Sequence, residues 1–232
     1  RVTHQDDNFV VDPVTNFPRE PAAFSRLDEL CKNGRTCLII GFSLNNIAEL
    51  NSTRGRTYSD HLVRNIAEEL MNKLSGKMAF YRLAGMRCMA VVDGAGGAEK
   101  EQLVGEIRDI VEAGYHTLGL SGHHPCSFAL MEYPHNKRSP ADFLEDMVSL
   151  IKVAKHDPKQ PYIDDSATNI EKIKRMSNMA LALSRDVLGG MEHFRIVIQP
   201  VVSVRNGAVV GGEALLRWNF EGQDISPSIF IP

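Results

Sequence analysis

The sequence predicts a mixed domain of helices and strands, α/β or α+β, followed by a long helix and a β-hairpin. Three observations lead there. Between residues 12 and 163, short β-branched runs alternate with segments of helical period. Residues 164–188 then carry one ragged helical stripe, and Asn206-Gly207 sits between two extended segments as a hairpin signal. Finally, at about 150 residues per domain, 232 residues correspond to roughly one and a half domains.

Each element has its own local reason. Cys37-Leu38-Ile39-Ile40 is short and β-branched, the pattern of a buried strand. Over 57–75, Leu62, Ile66 and Leu70 share one helical face, and Gly76 is placed to stop the helix. Residues 78–83 and 88–92 read as strands joined by a turn at Ala84-Gly85-Met86-Arg87. A helix over 99–113 turns Leu103, Ile107 and Ile110 inward, with Gly114 as its expected stop. A strand follows over 126–131. Ser139 then caps a helix with Pro140 at its first position and Asp142 completing a capping box. Phe143, Met147, Ile151 and Ala154 are its buried stripe, and Pro158 its end. The long helix stops at Gly189-Gly190, and strands over 194–202 and 208–216 flank Asn206-Gly207.

Composition narrows the function classes. Hydrophobic residues make up 43% and charged residues 24%, so the chain is not disordered or collagen-like. A net charge of −3 gives no basic field for nucleic acid, and no apolar run is long enough to cross a membrane. Four cysteines without a C-x-x-C pair suit reduced thiols in a cytoplasmic protein. The start at Arg1 without Met suggests an upstream region, in the parent protein, that could include a membrane anchor.

Several motifs then fall in a recognisable order. Asp12-Pro13-Val14-Thr15-Asn16-Phe17-Pro18-Arg19 stands where one family has D-x-L-T-G-L-x-N-R. Ser43-Leu44-Asn45-Asn46-Ile47-Ala48-Glu49-Leu50-Asn51, with Gly55 and Asp60, follows that family's D-I-D-x-F-K-x-I-N-D…G-D stretch. Ala84-Gly85-Met86-Arg87-Cys88 falls on its signature pentapeptide, Ser127-Phe128-Ala129-Leu130 on its S-I-G-I strand, and Ala154-Lys155 on its A-K pair. Residues 12–163 thus resemble the GGDEF domain of diguanylate cyclases. The resemblance implies the α+β class, with an antiparallel-rich, palm-like central sheet flanked by helices.

A second resemblance follows the long helix over 164–190. Gln199-Pro200-Val201-Val202, Gly212-Glu213-Ala214-Leu215-Leu216-Arg217 and Ile225-Ser226-Pro227 look like the start of an EAL domain, occupying 191–232. That family hydrolyses cyclic di-GMP on a TIM-like barrel, of which the hairpin would be the first part. Residues 1–11 are a lead-in.

The first resemblance implies a two-Mg²⁺ reaction joining two GTP molecules, with metal-binding carboxylates at the positions of Ser43 and Met86. A hydroxyl and a soft thioether are poor ligands for a hard cation. Arg87 replaces an acid and Ala48 a phosphate-binding lysine. A non-catalytic domain without a cofactor is therefore expected. Asn51 and Asp60 match the guanine-contacting positions, and Lys155 and Lys159 the phosphate-contacting ones. The plainer reading makes Asn51 a turn residue and Asp60 a helix-start acid. The family's R-x-x-D product-inhibition site falls on Ser75-Gly76-Lys77-Met78, without its charges. In the EAL part, the resemblance makes Glu213 a ligand of Mg or Mn, and Gln199 and Arg217 contacts for cyclic di-GMP. Expected partners are GTP, cyclic di-GMP through a complete EAL domain, and a second copy through the linker helix or hairpin. The competing reading is a dimerisation or interaction module that binds no nucleotide.

Overall fold

The strand Cys37–Leu44 (β1) is buried at all eight positions. This computed structural model describes residues 11–94, 99–120, 124–134, 139–156 and 160–231. The chain divides into two units, residues 1–170 and 171–232.

In the first unit, α1 (Glu20–Lys32) precedes β1. Then come α2 (Ile47–Arg54), α3 (Arg56–Leu74), β2 (Ala79–Arg82), β3 (Arg87–Asp93), α4 (Lys100–Thr117), β4 (Cys126–Tyr133), α5 (Pro140–His156) and β5 (Ile163–Asp164). The sheet order is β2-β3-β1-β4-β5. β1 runs antiparallel to both neighbours, and only the short β4–β5 pair is parallel. The fold is therefore α+β, with an antiparallel-rich sheet flanked by helices.

Side chains alternate across β1, so each of its faces serves a different layer. Leu38, Ile40 and Phe42 join Leu62, Ile66, Leu70, Ile107 and Val111 of α3 and α4 in one core. The opposite face meets α5 at Gly41. A Cβ at that position would collide with the Met147 side chain and approach Ile151 Cδ1 to 2.8 Å. Only a glycine lets α5 lie this close to the strand.

Several boundaries depart from the sequence pattern. Gly114 does not end α4, which continues to Thr117. Its missing side chain instead makes room for Ile66, whose Cγ1 a Cβ would meet at 2.6 Å. The helix over 57–75 is observed at 56–74, and the helix that opens at Pro140 runs to His156, with Pro158 outside the described residues. The Ser139 cap forms: its Oγ accepts from Asp142 N at 3.2 Å and donates to Asp142 Oδ2 at 2.8 Å. Two helices, α1 and α2, had no clear signal in the sequence pattern, α2 being only eight residues of mostly polar character.

The long helix, α6, spans Ala167–Leu188 and begins three residues later than its pattern suggests. Asp164 pairs with Leu130 in β5 instead. Asn169 then donates to both the main-chain oxygen (2.9 Å) and Oδ1 (3.1 Å) of Asp164. The boundary between the two units falls within α6.

In the second unit, α6 is followed by β6 (Phe194–Val202), β7 (Val209–Phe220), β8 (Gln223–Ile225) and α7 (Pro227–Phe230), the strands forming a sheet in that order. Trp218 is fully buried among Phe194, Phe220 and Phe230, and packs with Ala182 of α6. Its indole N–H donates to Asp186 Oδ2 at 2.8 Å. The base of the hairpin thus rests on the helix, as a two-stranded ribbon needs. Its far end leaves Ile196, Ile198, Val202 and Val209 exposed. The β6–β7 connection is longer than an Asn-Gly turn. Ser203 N bonds Ala208 O, and only Gly207 uses positive φ, while Asn206 Oδ1 accepts from Ala208 N.

Candidate functional site

The signature turn is a product of strand pairing. Arg82 pairs with Cys88 at the end of β2–β3, Leu83 N bonds Arg87 O, and Gly85 takes φ +68° to close the loop. Leu44 N donates to Met86 O at 3.2 Å, joining the turn to the end of β1. Across that junction β1 delivers Ser43 opposite Arg87 on one side and Ser127 on the other.

These elements enclose a groove of about 410 Å³ lined by Ser43, Asn46, Ala48, Glu49, Met86, Arg87, Lys152 and Lys155, among others. The structure therefore brings together five residues singled out in the sequence: Ser43, Ala48, Met86, Arg87 and Lys155. Lys152 and Glu49 were missed there. Lys152 had a signal, since it lies three residues before Lys155 on one helix and so on the same face. Both lysines belong to the last turns of α5, where cations also complement the helix dipole. Lys159 lies outside the described residues.

Asn51 and Asp60 do not line this groove. Asn51 Oδ1 accepts a short hydrogen bond from Ser59 Oγ, and Asp60 stands 3.7 Å from Arg56 one turn away. Asn51 is thereby fixed between α2 and α3 rather than left free in a loop.

The donor set does not suit a hard divalent cation. Ser43 is buried and its hydroxyl donates to Leu44 O at 3.4 Å. Met86 Sδ accepts from the Arg82 guanidinium at 3.2 Å. Among the described residues Glu49 is the one carboxylate lining the groove, against three cations, and no three His, Cys, Asp or Glu side chains are grouped so as to hold a metal ion. Arg87 Nη1 donates to Ala84 O at 3.0 Å, holding its guanidinium at the turn.

Behind the turn, Arg82 is 7% exposed and also donates to Cys88 Sγ at 3.5 Å. Burial pushes the Cys88 thiol up, partly offset by Arg82. Asp12 lies within reach of the same charge. Burial works to raise its pKa, but the Thr15 amide and hydroxyl, Arg82 and the Val14 amide outweigh it and hold the carboxyl below its ordinary value.

The second unit presents a separate constellation. Gln199 faces Glu213 across β6–β7, and Arg195 faces Arg217. By strand alternation all four share one face of the sheet, where Glu213 is the carboxylate of the hairpin and Asp224 of β8 lies opposite Asn219 on the same side. The Arg195 guanidinium pairs with Asp224, while Arg217 donates to Leu216 O at 2.8 Å. Of the three residues singled out in this part, Gln199 and Glu213 are direct cross-strand neighbours, and Arg217 lies on the same face four residues further along β7.

No protein-family model matches the chain. The bifunctional diguanylate cyclase/cyclic di-GMP phosphodiesterase MucR of Pseudomonas aeruginosa is 22% identical over 233 residues, 95% of this chain and 33% of that protein. A signaling protein of Caulobacter vibrioides is 24% identical over 212 residues, 89% of this chain and 26% of that one. The chain therefore spans about a third or less of these curated relatives. Among solved structures, the S helix-GGDEF-EAL portion of Vibrio cholerae LapD bound to c-di-GMP superposes with a TM-score of 0.59 at 16% identity, covering 94% of this chain and 51% of that one. The GGDEF domain of Pseudomonas aeruginosa YfiN gives 0.56 at 18% identity, covering 71% and 99%. The first unit has the fold of GGDEF domains, and the chain resembles proteins of cyclic di-GMP signalling. No helix of the described residues is long and apolar enough to cross a membrane.

Proposed function

We propose that residues 12–163 form a non-catalytic GGDEF-like regulatory module of a cyclic di-GMP signalling protein. The observation that carries this reading is the composition of the groove at the signature turn. Ser43 and Met86 stand where the family resemblance calls for metal-binding carboxylates, and the Met86 sulfur is engaged by Arg82. Two-metal phosphoryl transfer depends on cations that neutralise and orient the phosphates, and at the two family positions this wall offers them a hydroxyl and a thioether in place of carboxylates. What the groove keeps is positive charge, which supports GTP binding without turnover; the resemblance adds Asn51 and Asp60 as guanine contacts, although neither lines the groove and Asn51 Oδ1 is bonded to Ser59.

The parent protein is then a phosphodiesterase candidate, with Glu213, Gln199 and Arg217 contributing one edge of its site. In that role Glu213 supplies one carboxylate to Mg or Mn, and Arg217 a fork for phosphate. GTP bound in the first unit regulates hydrolysis only if it favours one arrangement of the module over another.

The test has two parts. Incubating the chain with GTP and Mg²⁺ is expected to yield no cyclic di-GMP, and product at a rate above background overturns the non-catalytic reading. Calorimetry with GTP is expected to show binding. The absence of heat favours instead the nucleotide-independent interaction module, a reading supported by the exposed apolar end of the β6–β7 hairpin.

A further inference from the structure

The groove beside the signature turn has a charge balance opposite to the one a divalent cation needs. Among the described residues, Arg87, Lys152 and Lys155 line it against the single carboxylate of Glu49. Neither lysine has an ion-pair partner among the described residues, and both are exposed. The Arg87 guanidinium spends one N–H on Ala84 O, which orients its planar fork and leaves further donors unspent. Such a fork suits phosphate oxygens, and two ammonium groups one helical turn apart suit a chain of phosphates.

We infer that this groove binds the phosphate chain of a nucleoside triphosphate directly, without a divalent metal, with Arg87 and Lys152 as ligand contacts beside Lys155. The inference rests on the nucleotide-binding reading above and changes its chemistry. In a site of carboxylates, a metal ion is needed to bring two anions together. Here the wall is already cationic, so Mg²⁺ on the nucleotide cancels negative charge that the groove would otherwise attract. Metal therefore gains the complex nothing and weakens it by competition. Because the two lysines are exposed and Arg87 is only half-buried, the attraction is also screened by salt.

The experiment titrates the full chain with GTP at fixed ionic strength, once in EDTA and once in excess Mg²⁺. Binding in EDTA as tight as in Mg²⁺, or tighter, is the expected result. Arg87→Ala and Lys152→Gln should each weaken it about tenfold, the loss of one charge-assisted contact of roughly 1.4 kcal/mol. Lys73→Gln, a surface lysine paired with Glu69 on α3, should change affinity less than twofold. Circular dichroism melts establish that each variant is folded. Binding that appears only with Mg²⁺, or unaltered affinity in folded Arg87→Ala, overturns this inference and leaves the regulatory reading standing. Silence in both buffers overturns the nucleotide-binding reading and this inference together.

Discussion

Arg82 donates from its guanidinium to Met86 Sδ across 3.2 Å, so a buried cation underlies the turn at the mouth of the groove. Its neighbours are two sulfurs and, electrostatically, Asp12. Sulfur is a weak acceptor, so much of the side chain's contribution comes from packing its stem and from its charge on Asp12. Arg82→Met should lower stability by about 1–3 kcal/mol in urea unfolding. A variant as stable as the parent would show that the cation is an idle passenger of the core.

Asp12 gives that arrangement a pH signature. Its folded pKa lies below the ordinary value of 3.8, so its contribution is fully present above the unfolded value. It is lost as pH falls through the folded value. Asp12→Asn should therefore lower the urea midpoint at pH 7, and the gap should close as the buffer is taken below about pH 4. A gap of constant size down to pH 3 would assign the effect to lost hydrogen-bond geometry instead.

Two glycines of α4 should respond in opposite directions. Gly114→Ala drives a methyl into Ile66 and should cost about 1–3 kcal/mol. Gly105 sits in the same helix with no atom within 4 Å of a built Cβ, so Gly105→Ala should stabilise by about 0.5–1 kcal/mol. Thermal or urea unfolding of the pair reads both signs at once.

The chain has one tryptophan, and it lies in the second unit. Emission from Trp218 therefore follows unfolding of the hairpin and its helix. Asp186 accepts from the indole and from His193, contacts that hold its carboxyl below the ordinary range against the opposing effect of burial. Asp186→Ala should bring the red shift of emission to lower urea. Aromatic circular dichroism dominated by the first unit should keep its midpoint. Coincident shifts of both signals would mean that the units unfold as one.

Thiol chemistry offers a further check on the core. Cys31 is exposed, while burial pushes the Cys37 thiol up to about 11 and Cys126 up to about 12. An aromatic disulfide reagent at pH 8 should label Cys31 quickly, half-buried Cys126 slowly, and Cys37 and Cys88 only on unfolding. Rapid labelling of two or more would contradict the packing around β1 and β4.

Much of this fold was legible because its helices and strands carry strong periodic stripes. α3 shows Leu62, Ile66 and Leu70 in its spacing alone, and the Ser139 cap announces α5. What escaped were elements with tertiary causes. β5 is two residues that become a strand only because β4 offers an open edge, and that pairing delays the start of α6. Gly114 reads as a helix stop until Ile66 is seen against it. In the site, motif order located Ser43, Met86, Arg87 and Lys155. Lys152 has no motif, and enters through the face it shares with Lys155. Asn51 could be named from its position, but its bond to Ser59 depends on how α2 meets α3.

Gly41 has an outcome for genetics and engineering. The two lysines of the groove ride on α5, and the depth at which α5 lies is set by a hydrogen atom on β1, beneath Met147 and Ile151. A methyl introduced there would first displace the Met147 and Ile151 side chains and, where the packed core does not let them give, lift the helix and carry both ammonium groups away from Arg87. If the groove binds phosphate as inferred, an allele at this core position would score as a binding defect in a screen, although Gly41 does not line the groove.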